Sequence, residues 1–176
     1  MGFLDQFSIQ FSGLKAGLYY FEFFIDDKFF KNFSESEIRQ GKVNVKIELQ
    51  KQVRMFVLDF NLKGTVNLTC DRCLDDFDFD INTSNKLVVK IGTKKIEETD
   101  EIIIIPEEEH EINVAQFIYE YIHLALPVKR THPDDENGFS FCNKEIIKKL
   151  KEHKSDEKKS NKTDPRWETL KKLRLN

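Results

Sequence analysis

Hydrophobic side chains recur at every second position through most of residues 18–91, a period that fits a pleated strand and does not fit a helix. Tyr19, Phe21, Phe23 and Ile25 alternate with Leu18, Tyr20, Glu22 and Phe24. Both faces of that run are apolar, so it is expected at the centre of a sheet or between layers. Val43, Val45, Ile47 and Leu49 alternate with Asn44, Lys46 and Glu48, which predicts a strand with one wet face. Phe56, Leu58, Phe60 and Leu62 continue the pattern. Lys63-Gly64 is expected to turn the chain before Val66, Leu68 and Cys70. After the short Asp71-Arg72 connection, Phe77, Phe79 and Ile81 alternate with Asp76, Asp78 and Asp80, and Leu87, Val89 and Ile91 extend the run. Consecutive hairpins of this kind predict an antiparallel meander. Phe is frequent, at 16 of 176 residues, and favours the same half-buried pleated surfaces.

Beyond residue 91 the pattern changes. Residues 92–111 are acidic and flank a single apolar run, Ile102 to Ile105, closed by Pro106. A solvated loop around one short strand is expected there. Asn113 is a good N-cap, and Val114, Phe117, Ile118, Tyr121, Ile122 and Ala125 form one helical stripe that Pro127 stops. Asn143 caps a basic helix carrying Ile146, Ile147 and Leu150. Residues 155–163 have almost no apolar content and are expected to be disordered. Asp164-Pro165 then starts a short helix with Trp167, Leu170 and Leu173 on one side. The fold class expected is α+β: an antiparallel meander or partly closed sheet covered by one amphipathic helix, with a helical tail. The organisation expected is a sheet domain over 1–142 with a covering helix over 113–126, a basic helix over 143–154, a linker over 155–163 and a short helix over 164–175.

Charge divides the chain in the same place. From Asn143 onward there are 12 Lys/Arg and 6 Asp/Glu, so of totals of 28 and 31 the first 142 residues hold 16 basic and 25 acidic. A uniformly basic RNA-binding domain is thereby excluded, and an acidic body with a basic arm remains. No run reaches the roughly 18 apolar residues of a membrane helix, and the start Met1-Gly2-Phe3-Leu4-Asp5 lacks the pattern of an export signal. A cytoplasmic protein with no membrane partner is expected, and its cysteines should be thiols or metal ligands and not disulfides.

Cys70-Asp71-Arg72-Cys73 is the most pointed motif. A redox pair needs its first cysteine at a helix N-terminus. Here the pair lies between two strands, and Asp71, Asp75 and Asp76 disfavour thiolate. Two readings stay open: a structural zinc site formed by Cys70, Cys73, His132 and Cys142, and three buried thiols that bind nothing. Arg72 is expected at an exposed hairpin tip, where it either pairs with phosphate or, the favoured reading, neutralises neighbouring aspartates. Trp167 either docks back on the body or anchors a partner. No nucleophile–base set, phosphate-cradling loop or dinucleotide fingerprint is present, so neither enzymatic activity nor a small-molecule substrate is expected.

Three segments together resemble the YceD family of large ribosomal RNA subunit accumulation proteins. They are Cys70-Asp71-Arg72-Cys73-Leu74 with the following Phe77/Phe79 strand, Leu124-Ala125-Leu126-Pro127 leading to His132 and Cys142, and Asp164-Pro165-Arg166-Trp167 through Leu173. The resemblance implies a role in accumulating large-subunit ribosomal RNA, without catalysis. It brings Cys70, Arg72, Cys73, Pro127, His132 and Cys142 forward as positions of interest. The expected partner is large-subunit ribosomal RNA or a ribosomal protein, held by Arg72, Lys148, Lys149, Lys151, Lys158, Lys159, Arg166, Trp167, Lys171, Lys172 and Arg174. The alternative is a protein-interaction adaptor that keeps the zinc site and does not touch RNA.

Overall fold

The computed structural model describes residues 2–92, 102–134 and 140–153. Its centre is a five-stranded sheet of β2 (Gly17–Ile25), β3 (Gly41–Lys51), β4 (Met55–Thr69), β5 (Asp76–Ile91) and β6 (Ile102–Ile105), in that order. The first four strands form the antiparallel meander that the alternation predicts. β6 departs from it, pairing parallel to β5 from Val88↔Ile102 to Ile91↔Ile105. β1 (Ser8–Gln10) and β7 (Glu111–Asn113) form a separate antiparallel pair, so the chain is α+β with one open sheet and one small ribbon. The partial closure expected from the sequence does not occur.

One sheet face is dry and the other wet. Val43, Val45, Ile47 and Leu49 on β3 and Phe56, Leu58, Phe60 and Leu62 on β4 are all buried, while Lys42, Asn44, Lys46, Glu48 and Gln50 are exposed. The dry face is covered by α2 (Ala115–Leu124), which buries Ala115, Ile118, Tyr121 and Ile122. The N-cap of α2 is Val114 and not the expected Asn113, whose Oδ1 still accepts the Ala115 N–H at 2.9 Å. The short α1 (Asp27–Phe30) is capped by Asp26, whose carboxylate accepts the amides of Lys28 and Phe29. It inserts Phe29 and Phe30 into the core. Rings then link the layers: Phe7 meets Phe29, Phe29 meets Phe33, and Phe33 stacks on Tyr119 of α2 at 4.0 Å.

Two sequence expectations are corrected here. The apolar run 18–25 is not central, because β2 pairs only with β3 and forms an edge of the sheet. Its second apolar face stands in solvent, with Leu18, Tyr20 and Phe24 exposed. Nor does Lys63-Gly64 turn the chain: β4 runs straight through both residues, with Gly64 paired to Val43 on one side and Ile81 on the other. Glycine is required there for a different reason. A Cβ on Gly64 would lie 2.0 Å from the Lys42 carbonyl oxygen and 2.6 Å from Val43 Cα, so β3 crosses β4 too closely for any side chain.

Gly64→Ala should therefore destabilise the fold by about 3 kcal/mol, the upper end of the overpacking range, because backbone and not a flexible side chain must move. Gly13→Ala should be near neutral, since a Cβ there meets nothing within 4 Å. Denaturant titration of the two variants checks both.

Candidate metal centre

The β4–β5 hairpin ends in a tight turn over residues 70–75. Cys70 N–H donates to Asp75 O and Leu74 N–H to Cys70 O, both at 2.9 Å, so the turn closes on itself. Leu74 adopts φ 62°, a left-handed conformation that costs a non-glycine residue about 1–2 kcal/mol. Its side chain is exposed and gains no burial in return. The turn carries the backbone around so that Cys70 and Cys73 both point inward. The Arg72 amide donates to Cys70 Sγ at 3.4 Å.

The second half of the cluster comes from about sixty residues further on. Past Pro127 the chain runs back to the hairpin tip. The Asp71 amide donates to Arg130 O, and the Arg130 amide returns a bond to Asp71 Oδ2, each at 2.7 Å. The Arg130 guanidinium also bridges to Glu37, ahead of β3, at 2.5 Å. These bonds set His132 beside Cys73, with Nδ1 3.4 Å from Cys73 Sγ and the imidazole ring 4.9 Å from that of Phe77. Cys142 lies at the far end of the same connection, its Sγ 3.8 Å from Cys70 Sγ.

All four donor atoms lie within 4.8 Å of one another, and the cluster is the one set of this kind among the described residues. The three sulfurs are buried and unbonded to each other. At 3.8 Å, Cys70 and Cys142 are far beyond the roughly 2.05 Å of a disulfide. Two of the spacings fit the edges of a tetrahedron, 3.8 Å between Cys70 and Cys142 and 3.4 Å between Cys73 and His132. With metal–sulfur arms of about 2.3 Å and a metal–nitrogen arm of about 2.0 Å, sulfur–sulfur edges are about 3.8 Å and sulfur–nitrogen edges about 3.5 Å. The cluster is therefore compatible with one shared metal ion.

Electrostatics within the cluster point the same way. Burial acts to raise the Cys70 thiol, but bonds from the backbone of Cys73, Arg72 and His132 override it and bring the group from 9.0 to about 6. Burial and the adjoining sulfurs of Cys70 and Cys142 push Cys73 up. One site thus favours thiolate while its neighbour resists a second negative charge, which a bound cation would relieve.

Arg72 is not the exposed tip residue expected. Its guanidinium turns inward and donates to Ser140 Oγ at 3.1 Å, with Cys142 Sγ 3.9 Å away. Among the described residues, no ion pair joins it to Asp71 or Asp75. Ser140 Oγ in turn accepts the Cys142 amide at 3.2 Å. Asn143 Nδ2 reaches back to Asp75 Oδ2 at 3.1 Å, while its Oδ1 caps α3 (Lys144–His153) through the amides of Glu145 and Ile146. Motif reasoning did not assign Asp71, Arg130, Ser140 and Asn143 these supporting bonds, because their partners lie 59 to 68 residues away in the sequence. Lys148, Lys149 and Lys151 are exposed on α3. Lys158, Lys159, Arg166, Trp167, Lys171, Lys172 and Arg174 lie outside the described residues, as do the linker and last helix expected from the sequence.

The molecule so defined is an open-sheet scaffold whose hairpin tip, return loop and basic helix meet at a Cys3His corner. A family model described as large ribosomal RNA subunit accumulation protein YceD matches residues 58–174, about two-thirds of the chain. The chain belongs to the YceD family. No curated protein and no solved structure matches it significantly.

Because Leu74 holds a left-handed conformation while exposed, Leu74→Gly should be more stable than Leu74→Val by about 1–2 kcal/mol, since a β-branched residue fits that region worst. Thermal unfolding of the pair under one set of metal conditions checks this.

Proposed function

We propose that this protein is a non-enzymatic, cytoplasmic accessory factor for the accumulation of large-subunit ribosomal RNA, and that Cys70, Cys73, His132 and Cys142 hold one structural zinc ion. The carrying observation is the convergence of four donors from two distant segments, all within 4.8 Å of one another, directly ahead of a basic helix. Three sulfurs and one imidazole nitrogen suit zinc, and four protein ligands close the coordination sphere, as in structural and not catalytic sites. Membership of a family described by an RNA-accumulation role, and not by a reaction, supports the same reading.

In this reading the metal centre is a clamp. It ties the hairpin tip to the return loop and so fixes where α3 begins. Lys148, Lys149 and Lys151 then project from a defined position and, with Lys158, Lys159, Arg166, Trp167, Lys171, Lys172 and Arg174, attract ribosomal RNA. Arg72 serves this surface indirectly, by countering thiolate charge beside Cys142. The exposed carboxylates of Asp76, Asp78 and Asp80 keep the sheet itself off RNA. The same carboxylates favour a second reading, an adaptor whose acidic body captures a basic ribosomal protein.

Purified protein should carry about one zinc per chain by elemental analysis. Cys142→Ser should lose it and lower the thermal midpoint, and a fully folded, metal-free wild type would overturn the zinc assignment. RNA affinity should fall linearly on a log–log salt plot, and replacing Lys148, Lys149 and Lys151 together with Ala should flatten that slope by up to about 3. A salt-insensitive interaction rejects direct RNA contact. A ribosomal protein that stays bound after nuclease treatment favours the adaptor.

A further inference from the structure

β2 is an unguarded sheet edge. Natural edges are blunted by Pro, by Lys, by bulges or by a covering element. β2 has neither Pro nor Lys, and its nine residues pair with β3 in unbroken register from Gly17↔Lys51 to Ile25↔Val43, so no bulge twists it away. Among the described residues, no backbone group of 18–24 bonds outside that ladder. The strand also presents large side chains to water, with Leu18 47%, Tyr20 69% and Phe24 58% exposed. Its one charge, Glu22, is already met by Lys46 on β3 at 3.0 Å.

We propose that β2 pairs antiparallel with the β2 of a second copy about a two-fold axis at Phe21, joining two sheets into one. The sequence is self-complementary in that register. Leu18 falls opposite the second copy's Phe24, and Tyr20 falls opposite its Glu22, on the wet face where both copies are now exposed. Tyr19 falls opposite Phe23 and Phe21 opposite itself on the other face. Centring the pair on Glu22 would set the two glutamates against each other, and centring it on Tyr20 would set Leu18 against Glu22. Of these three registers, only the one centred on Phe21 sets Leu18 against an apolar side chain and keeps the two glutamates apart.

Area supports the same occupant. Aromatic side chains bury about 150–250 Å² each, so Tyr20 and Phe24 present on the order of 250 Å² per copy at their exposures. Four such rings supply roughly half of the 1,000 Å² that a specific interface needs, before Leu18 and the strand backbone are added. An RNA occupant is disfavoured, since β2 offers no cation.

The full-length, metal-loaded chain should sediment as a dimer at micromolar concentration. The double substitution Leu18→Lys/Phe24→Lys, which sets lysines of the two copies directly opposite each other at the seam, should yield a folded monomer with an unchanged circular dichroism spectrum. Hydrogen exchange on the unsubstituted protein gives an independent readout: amides of residues 17–25 should gain protection as concentration rises. A wild type that stays monomeric to about 100 µM overturns the proposal, as does a dimer whose 17–25 amides are indifferent to concentration. Protection of those amides only on addition of another protein would also overturn it and give the edge to a foreign strand. Metal content and RNA binding are read separately, so failure here leaves the preceding proposal standing.

Discussion

The functional end of this molecule depends on one long hairpin keeping one register. β4 and β5 pair without interruption from Met55↔Lys90 to Thr69↔Asp76. A slip of one residue would turn every inward side chain outward. Phe56, Leu58, Phe60 and Leu62 on one strand and Ile81, Leu87 and Val89 on the other are buried, so such a slip would expose the core and is strongly opposed. At the far end the same register decides that Cys70 and Cys73 face inward together. The rigidity of the sheet is thus transmitted to two sulfurs at its tip.

That tip is polar on its outer side, where the aspartates lie. Thr69 and Asn67 on β4 bond Asp76 and Asp78 on β5, at 2.9 and 3.0 Å. These cross-strand pairs hold the wet face of the last rungs of the ladder, opposite the buried Leu68 and Phe77. Asp71 and Asp75 bind the return loop instead, through Arg130 and Asn143. Acidic residues that look repulsive in the sequence are therefore divided by alternation. Some lock the hairpin, and others recruit the segment that completes the metal centre.

Much of this was legible from residue order, and the failures are informative. Alternation located β3, β4 and β5 because each has one dry and one wet face, and that is what a period of two records. It misplaced β2, since two apolar faces read equally well as a buried strand or as an edge awaiting a partner. Gly64 was misread as a turn because sequence shows the missing side chain without showing the Lys42 carbonyl that forbids one. The cluster of Cys70, Cys73, His132 and Cys142 was legible because sulfur and imidazole are rare and chemically committed. Arg72 was not, because the direction of a long flexible side chain depends on Ser140 and Cys142, which only the fold brings near.

The proposed zinc would answer a physical need of the return loop. Its described residues bury little apart from Cys142: Val128 is fully exposed and Phe141 is 65% exposed. Hydrophobic burial therefore cannot hold it. Fixing the backbone of its ten or so described residues costs roughly 10–20 kcal/mol at 1–2 kcal/mol each. The hydrogen bonds through Asp71, Arg130 and Asn143 return about 1 kcal/mol apiece, and bonds to charged groups somewhat more. A structural zinc contributes about 10–16 kcal/mol of apparent binding free energy, the same order as the deficit. The loop and α3 behind it are then coupled to metal occupancy, while the sheet, with its own continuous core, is not. Removing the proposed zinc should loosen residues 128–134 and 140–153 selectively and leave β2 through β5 intact, which separates a clamp from an ion on which the whole fold depends.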